Sequence, residues 1–229
     1  MQNTSHAVMS QRVEAKDSPD DFPTPPWATR ALLEHVLPDK KCLSEQQCLE
    51  PACGAGHMAK VLNGYFSEVE CSDAFSYGYG KVRDFITQPY RKATFDWVIT
   101  NPPFRLAEEF LMLSLEAARI GVAILARTVF LESVGRYNTI FQTKPPTIFA
   151  QFVERVPMVR GRLDDKATTA TGYAWFVWDK RGSGAAPQLA WVPPCRRKLE
   201  RPGDYEVPVR QQPNKREQES APNYSFLSN

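Results

Sequence analysis

Residues Asp96 to Phe104 read DWVITNPPF. Trp97, Val98 and Ile99 make a short apolar run whose length and β-rich composition suit a buried strand. The run stops at Asn101-Pro102-Pro103, because a strand interior does not continue through two prolines. Proline has no backbone N–H, so the carbonyls just before and between the prolines are not taken up by a helix starting there. The product is a stiff loop at the carboxyl end of a strand, offering an amide side chain, a free carbonyl and the ring of Phe104. Open α/β sheets bind ligands at that edge. Asn-Pro is also a common turn dipeptide. What lifts this one above punctuation is a second motif upstream.

That motif is CLEPACGAGHMAKVL, Cys48 to Leu62. A short strand at Cys48 and Leu49 carries Glu50 at its end, and Pro51 breaks pairing. Gly54-Ala55-Gly56 then turns tightly into a helix bearing Met58, Val61 and Leu62. Glycine lets the backbone turn sharply and approach a ligand, and the helix start offers free N–H groups. The third glycine of a dinucleotide fingerprint is missing, and so is the G-K-[ST] of a phosphate loop. A ligand with an adenosine and a carboxylate but no phosphates therefore fits better than a pyrophosphate. Cys53 and His57 read as packing or turn residues. Further on, Val69 and Cys71 alternate as a strand ending at Asp73, where an acid can hold a ribose diol or simply face solvent. Tyr77 to Gly80 reads as a flexible turn. Asp84 and Phe85 form an acid–aromatic pair suited to an adenine amine and ring, or to a surface turn.

Upstream, FPTPPWATRALLEHVLP (residues 22–38) changes character from the polar stretch before it. A helix is expected from about Trp27, with Leu32, Leu33, Val36 and Leu37 on one face and Pro38 as its end. The prolines before it are a plain lead-in to that helix or a rigid wall turning Thr24 and Trp27 inward. Downstream, Leu106 to Ile120 has the pattern of an amphipathic helix, with Glu108 and Glu109 in the first turns and Gly121 as its stop. Val122 to Ala126 is then a buried strand. Strand, helix and strand in alternation predict a parallel sheet with right-handed crossovers. Residues 127–146 carry Arg127, Arg136 and Lys144 against Glu132, interleaved with Phe130, Leu131, Tyr137 and Phe141. This suits phosphate contact and base stacking, or a solvated helix face. Two β-rich segments, 147–158 and 171–180, flank a polar loop with Arg160, Arg162 and Lys166. Trp175 and Trp178 are expected in the core.

The chain has 229 residues, 42% of them hydrophobic, and a formal net charge of +2. That suits one folded domain, and the charge alone is too small to argue for nucleic acid. No apolar run reaches the roughly 18 residues of a membrane span, and the N-terminus lacks the apolar block of a secretory signal. The five cysteines form no C-x-x-C pair and the three histidines no ligand pattern, so neither a metal site nor a disulfide framework is expected. The expected compartment is the cytoplasm. Domain limits are expected at 1–20 for a loose tail, 21–194 for the folded domain and 195–229 for a largely disordered tail rich in Pro, Arg, Gln and Asn.

Taken in order, FPTPPW, LEPACGAGH, RDFI and NPPF resemble the motifs of the S-adenosylmethionine-dependent amino-methyltransferases of nucleic acids. The likeness is greatest to the DNA adenine-N6 methyltransferases whose cofactor motif precedes the catalytic one, and it covers Phe22 to about Trp178. The resemblance implies a Rossmann-like α/β fold, with a mostly parallel seven-stranded sheet, a C-terminal antiparallel hairpin and helices on both faces. It implies S-adenosylmethionine as cofactor, held by Thr24, Pro25, Trp27, Glu50, Pro51, Cys53, Gly54, Gly56, Asp73, Asp84, Phe85 and Asn101. Asn101, Pro102, Pro103 and Phe104 would be catalytic. DNA is the implied partner; local charge marks Arg127, Arg136, Arg160 and Arg162 as its contacts, with target choice resting on the loops 127–145 and 157–171 or on an oligomeric partner. Monomer and homodimer both remain open. A compact enzyme of this kind would suit a phage or prophage. Similar motifs occur in enzymes acting on RNA adenine-N6 or guanine-N2 and on protein glutamine. A non-catalytic nucleic-acid-binding module and a nucleotide-dependent oxidoreductase are the readings from other classes.

Overall fold

The strand that ends in Asn-Pro-Pro lies near the middle of the sheet. The computed structural model describes residues 20–37, 40–182, 184 and 186–206. Its strands are β1 Gln47–Glu50, β2 Glu68–Asp73, β3 Lys81–Val82, β4 Phe95–Thr100, β5 Ala118–Arg127, β6 Ile148–Phe152, β7 Tyr173–Asp179 and β8 Gln188–Val192. They form one eight-stranded sheet in the order β3-β2-β1-β4-β5-β7-β6-β8. The strands from β3 across to β5 run parallel to their neighbours. Strand β7 is antiparallel to both β5 and β6, while β8 pairs parallel to β6. The mostly parallel α/β architecture is thus as expected, with one strand more than the seven anticipated. Strand β8 hides in the sequence because it is five residues long between Pro187 and Pro193, with Leu189 and Trp191 exposed.

Burial explains why β4 reads as a continuous apolar run. Trp97 and Ile99 sink into one core layer and Val98 into the other, so both faces of the strand are covered. Helices α1 Pro26–His35, α2 Lys40–Leu43, α3 His57–Leu62, α4 Ala107–Ala117, α5 Val134–Arg136 and α6 Arg196–Leu199 complete the chain, with a π-helical turn at Tyr137–Phe141. On one face, Trp27, Leu32 and Leu33 of α1 and Met58 and Leu62 of α3 pack with Trp97, Ile99 and Trp175. On the other, Phe110 and Leu111 of α4 pack with Val98, Val122, Ile124 and Phe176. Pro26 takes the first position of α1, where its missing N–H costs no hydrogen bond.

Two boundaries differ from the sequence reading. Helix α4 ends at Ala117, and Gly121 stands inside β5 rather than stopping a helix. A Cβ at Gly121 would lie 2.5 Å from the Trp97 ring and 2.9 Å from the Trp178 carbonyl, so the glycine serves packing. The chain also continues to pack beyond Pro194, where a loose tail was expected. The carboxylate of Glu154 accepts the N–H groups of Cys195 and Arg196, both at 2.7 Å. Asp204 closes a paired hydrogen bond with Arg30 of α1 at 2.7 and 2.8 Å. Residues 1–19 and 207–229, which hold most of the expected tails, lie outside the described residues. Among the described residues no helix is long and apolar enough to cross a membrane.

Candidate active site

A cavity of about 370 Å³ opens where β1, β2 and β4 end. Ligand pockets commonly span about 300–1,000 Å³. Glu50, Pro51, Cys53 and Gly54 reach it from the end of β1, Asp73 from β2, Asp84 and Phe85 from the loop after β3, and Asn101 and Pro103 from β4. Thr24 closes it from the proline-rich segment. The sequence motifs, far apart in the chain, are brought together by the parallel order of the strands.

Each wall has a local cause. Gly54 sits at φ +49, a left-handed conformation, and its N–H donates to Asp73 Oδ2 at 2.9 Å. The N–H of Phe75 donates to Asp73 Oδ1 at 3.0 Å, so the two turns are stitched together through one carboxylate. Burial pushes the Asp73 carboxyl up, and those backbone N–H groups pull part of the way back. Glu50 is 2% exposed, and its Oε2 has no hydrogen-bond partner. Burial drives its carboxyl well above the usual range, with Cys71 and Asp73 adding to the effect. Thr24 is also buried, with Oγ1 unpartnered. His57, on the same wall, is held down to about 4 by burial and by Lys60. The Cys53 and Cys71 thiols share a hydrogen bond that lowers Cys71 to about 7.

The electrostatics of the lining are one-sided. Asp20, Asp21, Glu50, Asp73 and Asp84 line the cavity, and no lysine or arginine does so among the described residues. Carboxylates crowded in a desolvated space favour a cationic guest and oppose a phosphate.

Asn101 has a defined orientation. Its Nδ2 donates to the Phe22 carbonyl at 2.8 Å and lies 3.7 Å from Met158 Sδ. A carbonyl can only accept, so the NH₂ end of the amide must face it. The other end, Oδ1, is buried and has no partner. The N–H of Phe104 donates to Asp20 Oδ2 at 2.7 Å, which ties the Asn-Pro-Pro-Phe loop to the segment before α1. Phe22 and Tyr173 pack against the Phe104 ring with centroids 5.3 and 6.3 Å away.

Several expected site residues stand elsewhere. Trp27 is fully buried in the core, edge-on to Phe152 at 5.7 Å, and Pro25 caps α1; neither faces the cavity. Gly56, at φ +80, caps α3 and is also off the cavity wall. A Cβ there would meet the Tyr79 ring at 2.3 Å, so the glycine makes room for that ring. Pro102 is buried within the loop and is not part of the cavity lining. Phe104 does not line the cavity, and Arg127 covers its ring. Arg136 is committed inside the protein, donating to the Phe130 carbonyl at 2.6 Å and lying 3.5 Å from Glu108. Arg160 is half-buried and opposes, without overcoming, the rise that burial and Asp73 impose on the Asp21 carboxyl, whereas Arg162 is exposed and pairs with Asp164 at 3.1 Å. Asp20, Asp21, Phe22 and Met158 are site residues that the sequence reading missed. The change in composition at Phe22 was visible, but nothing local marks its carbonyl as the partner of Asn101. Among the described residues no cluster of three or more His, Cys, Asp or Glu could hold a metal ion.

No family model matches the sequence, and neither does any curated protein. Solved structures do match. One is described as a modification subunit of a type I restriction enzyme from Vibrio vulnificus, with TM-score 0.51 and 16% identity over 73% of this chain. Another is described as an RNA methyltransferase from Pyrococcus horikoshii, with the same TM-score, identity and coverage of this chain. The fold is that of the Rossmann-like methyltransferases. The match spans 46% of the Vibrio subunit and 93% of the Pyrococcus protein. In this methyltransferase fold the cavity occupies the carboxyl edge of the sheet, where strand order reverses between β1 and β4.

Proposed function

We propose that the protein methylates an exocyclic base amine with S-adenosylmethionine, and that adenine N6 in DNA is the acceptor. The observation that carries this reading is the orientation of Asn101, whose NH₂ is anchored on Phe22 and whose Oδ1 is left as a buried acceptor. An acceptor fixed at that point selects a group that donates N–H.

The cavity suits the cofactor by its chemistry. S-adenosylmethionine supplies an electrophilic methyl on a sulfonium and carries an ammonium, a ribose diol and an adenine, but no phosphate. The unpartnered Thr24 Oγ1 and Glu50 Oε2 are available to its amino-acid end. Asp73 has lone pairs beyond its two backbone bonds for a diol. Asp84, whose Oδ1 takes the Ile86 N–H at 2.9 Å, keeps its other oxygen for the adenine amine beside Phe85. The acidic lining favours the positive charges and disfavours a dinucleotide.

The protein's part in the reaction is to orient an amine. An adenine amine is a poor nucleophile because its lone pair is delocalised into the ring. Asn101 Oδ1 and the Pro102 carbonyl accept its two hydrogens, which turns the lone pair out of the ring plane and stabilises the charge that develops on nitrogen. The Pro102 carbonyl is spared by the following turn, whose bond runs from the Leu106 N–H to the Pro103 carbonyl at 2.9 Å. Placement of the reacting atoms supplies much of the rate in such reactions. In duplex DNA the base must first leave the stack.

Labelled S-adenosylmethionine offered with DNA, RNA and protein, followed by mass spectrometry of nucleosides, tests the reading. N6-methyladenine is expected in DNA; label confined to RNA would move the acceptor to RNA, and label in protein alone would refute base methylation. Asn101→Ala should lower transfer by about 100-fold or more while cofactor affinity stays nearly constant. Equal loss of both would remove Asn101 from the chemistry.

A further inference from the structure

Arg127 is the last residue of β5, in register with Tyr173 of β7. Its Cζ lies 4.2 Å from the centroid of the Phe104 ring, the distance of a stacked guanidinium. Phe104 is the ring that the site chemistry would place against an acceptor base. Its flanks are already packed by Phe22 and Tyr173, and the cavity stops short of it. Among the described residues Arg127 has no carboxylate partner, unlike Arg136 and Arg162, which are held by Glu108 and Asp164. A planar delocalised cation therefore occupies an aromatic face in a base-like pose, hydrogen-bonded to the neutral Tyr173 side chain and with no carboxylate to neutralise it.

We propose that Arg127 is a placeholder for the acceptor base: its guanidinium holds the stacking face of Phe104, yields it to the incoming base, and takes the neighbouring phosphate. The inference rests on the base-methylation reading above. Base and guanidinium compete for one aromatic face, so a free nucleoside must displace Arg127 without recompense. A nucleotide within a strand offers the displaced charge a new partner. The device thus favours bases attached to a phosphate backbone over free nucleosides, a discrimination that neither Phe104 nor Asn101 can make.

Two probes with opposite expectations test this: adenosine, which has no phosphate, and an oligodeoxyadenylate strand. Arg127→Ala should bind adenosine ~3–10-fold more tightly, since a cation–π contact of this size is lifted from the stacking face. The same variant should bind the oligonucleotide more weakly, with a salt slope reduced by about 0.7 between about 50 and 200 mM salt. Arg127→Lys should keep the salt slope, because it keeps the charge. Weaker binding of both probes by Arg127→Ala would mean that Arg127 merely supports Phe104, and would overturn the proposal. So would unchanged adenosine binding, which marks an ordinary phosphate contact. If these binding patterns fail while Asn101→Ala still abolishes methyl transfer, only the placeholder falls. If the wild type labels no nucleic acid, the reading beneath it falls as well.

Discussion

Gly56→Ala separates a glycine kept for a ligand from a glycine kept for packing. Alanine at φ +80 adopts a left-handed conformation that costs about 1–2 kcal/mol for an L-residue. Its Cβ would also lie 2.3 to 2.5 Å from three carbons of the Tyr79 ring. Carbon atoms pack at about 3.5–4.0 Å, so the ring must move by roughly 1 Å or more. Overpacking of this kind adds about 1–3 kcal/mol, which brings the expected loss of stability to about 2–5 kcal/mol. Gly54→Ala is the control, because its nearest neighbour is Asp21 Oδ1 at 3.7 Å and only the φ penalty applies. Removing the ring should relieve Gly56→Ala, so the double variant with Tyr79→Ala should show a favourable coupling of about 1–3 kcal/mol. Urea unfolding of the single and double variants measures the cycle, and calorimetric titration with S-adenosylmethionine shows whether binding returns with stability. Additive effects, or equal costs at Gly54 and Gly56, would refute the packing argument. A double variant that regains stability yet fails to bind would return Gly56 to the cofactor site.

Two further outcomes follow from buried charge. His57 is held down to about 4 in the fold against about 6.5 in the unfolded chain, so the unfolded chain takes up the proton first. Stability is therefore lost as pH falls from 6.5 towards 4, by roughly 2 kcal/mol at pH 5, and His57→Gln should remove that loss in unfolding curves compared pH by pH. Glu50, with its carboxyl raised by burial, acts with the opposite sign and loses stability as pH rises above the ordinary carboxylate range, so each variant is compared with the wild type at the same pH. At the far end of the chain, the Arg30 and Asp204 side chains are only 8% and 6% exposed. Asp204→Ala should cost about 3–5 kcal/mol by stranding a buried guanidinium, while Arg30→Met with Asp204→Leu should recover most of it; a small effect of the single change would show that the segment after α6 is not part of the fold.

The difference between what the sequence revealed and what it hid is a difference in range. The glycine turn, the strand-ending acid and the Asn-Pro-Pro loop are local devices, in which each residue type is required by the backbone beside it. Their positions could therefore be read locally, while their joint role came from the resemblance of the motifs. The orientation of Asn101 depends on a carbonyl 79 positions away, and the Phe104 N–H on a carboxylate 84 positions away. A backbone carbonyl has no residue identity, so no pattern of side chains could have pointed to Phe22. The same reasoning separates the two glycines of the turn. Both have positive φ, which the sequence conveys, but only packing distinguishes Gly54, which donates to Asp73, from Gly56, which accommodates Tyr79. Arginine misleads in the opposite way. Four were marked as nucleic-acid contacts by charge, yet Arg136 is used up on internal carbonyls and Glu108, and Arg160 faces Asp21. Charge in a sequence counts cations; only the fold shows which of them remain unpaired. Arg127, exposed over the Phe104 ring and hydrogen-bonded to Tyr173, has no carboxylate partner among the described residues; under the reading proposed above, a cation in that place would link recognition of a phosphate backbone to the chemistry at Asn101.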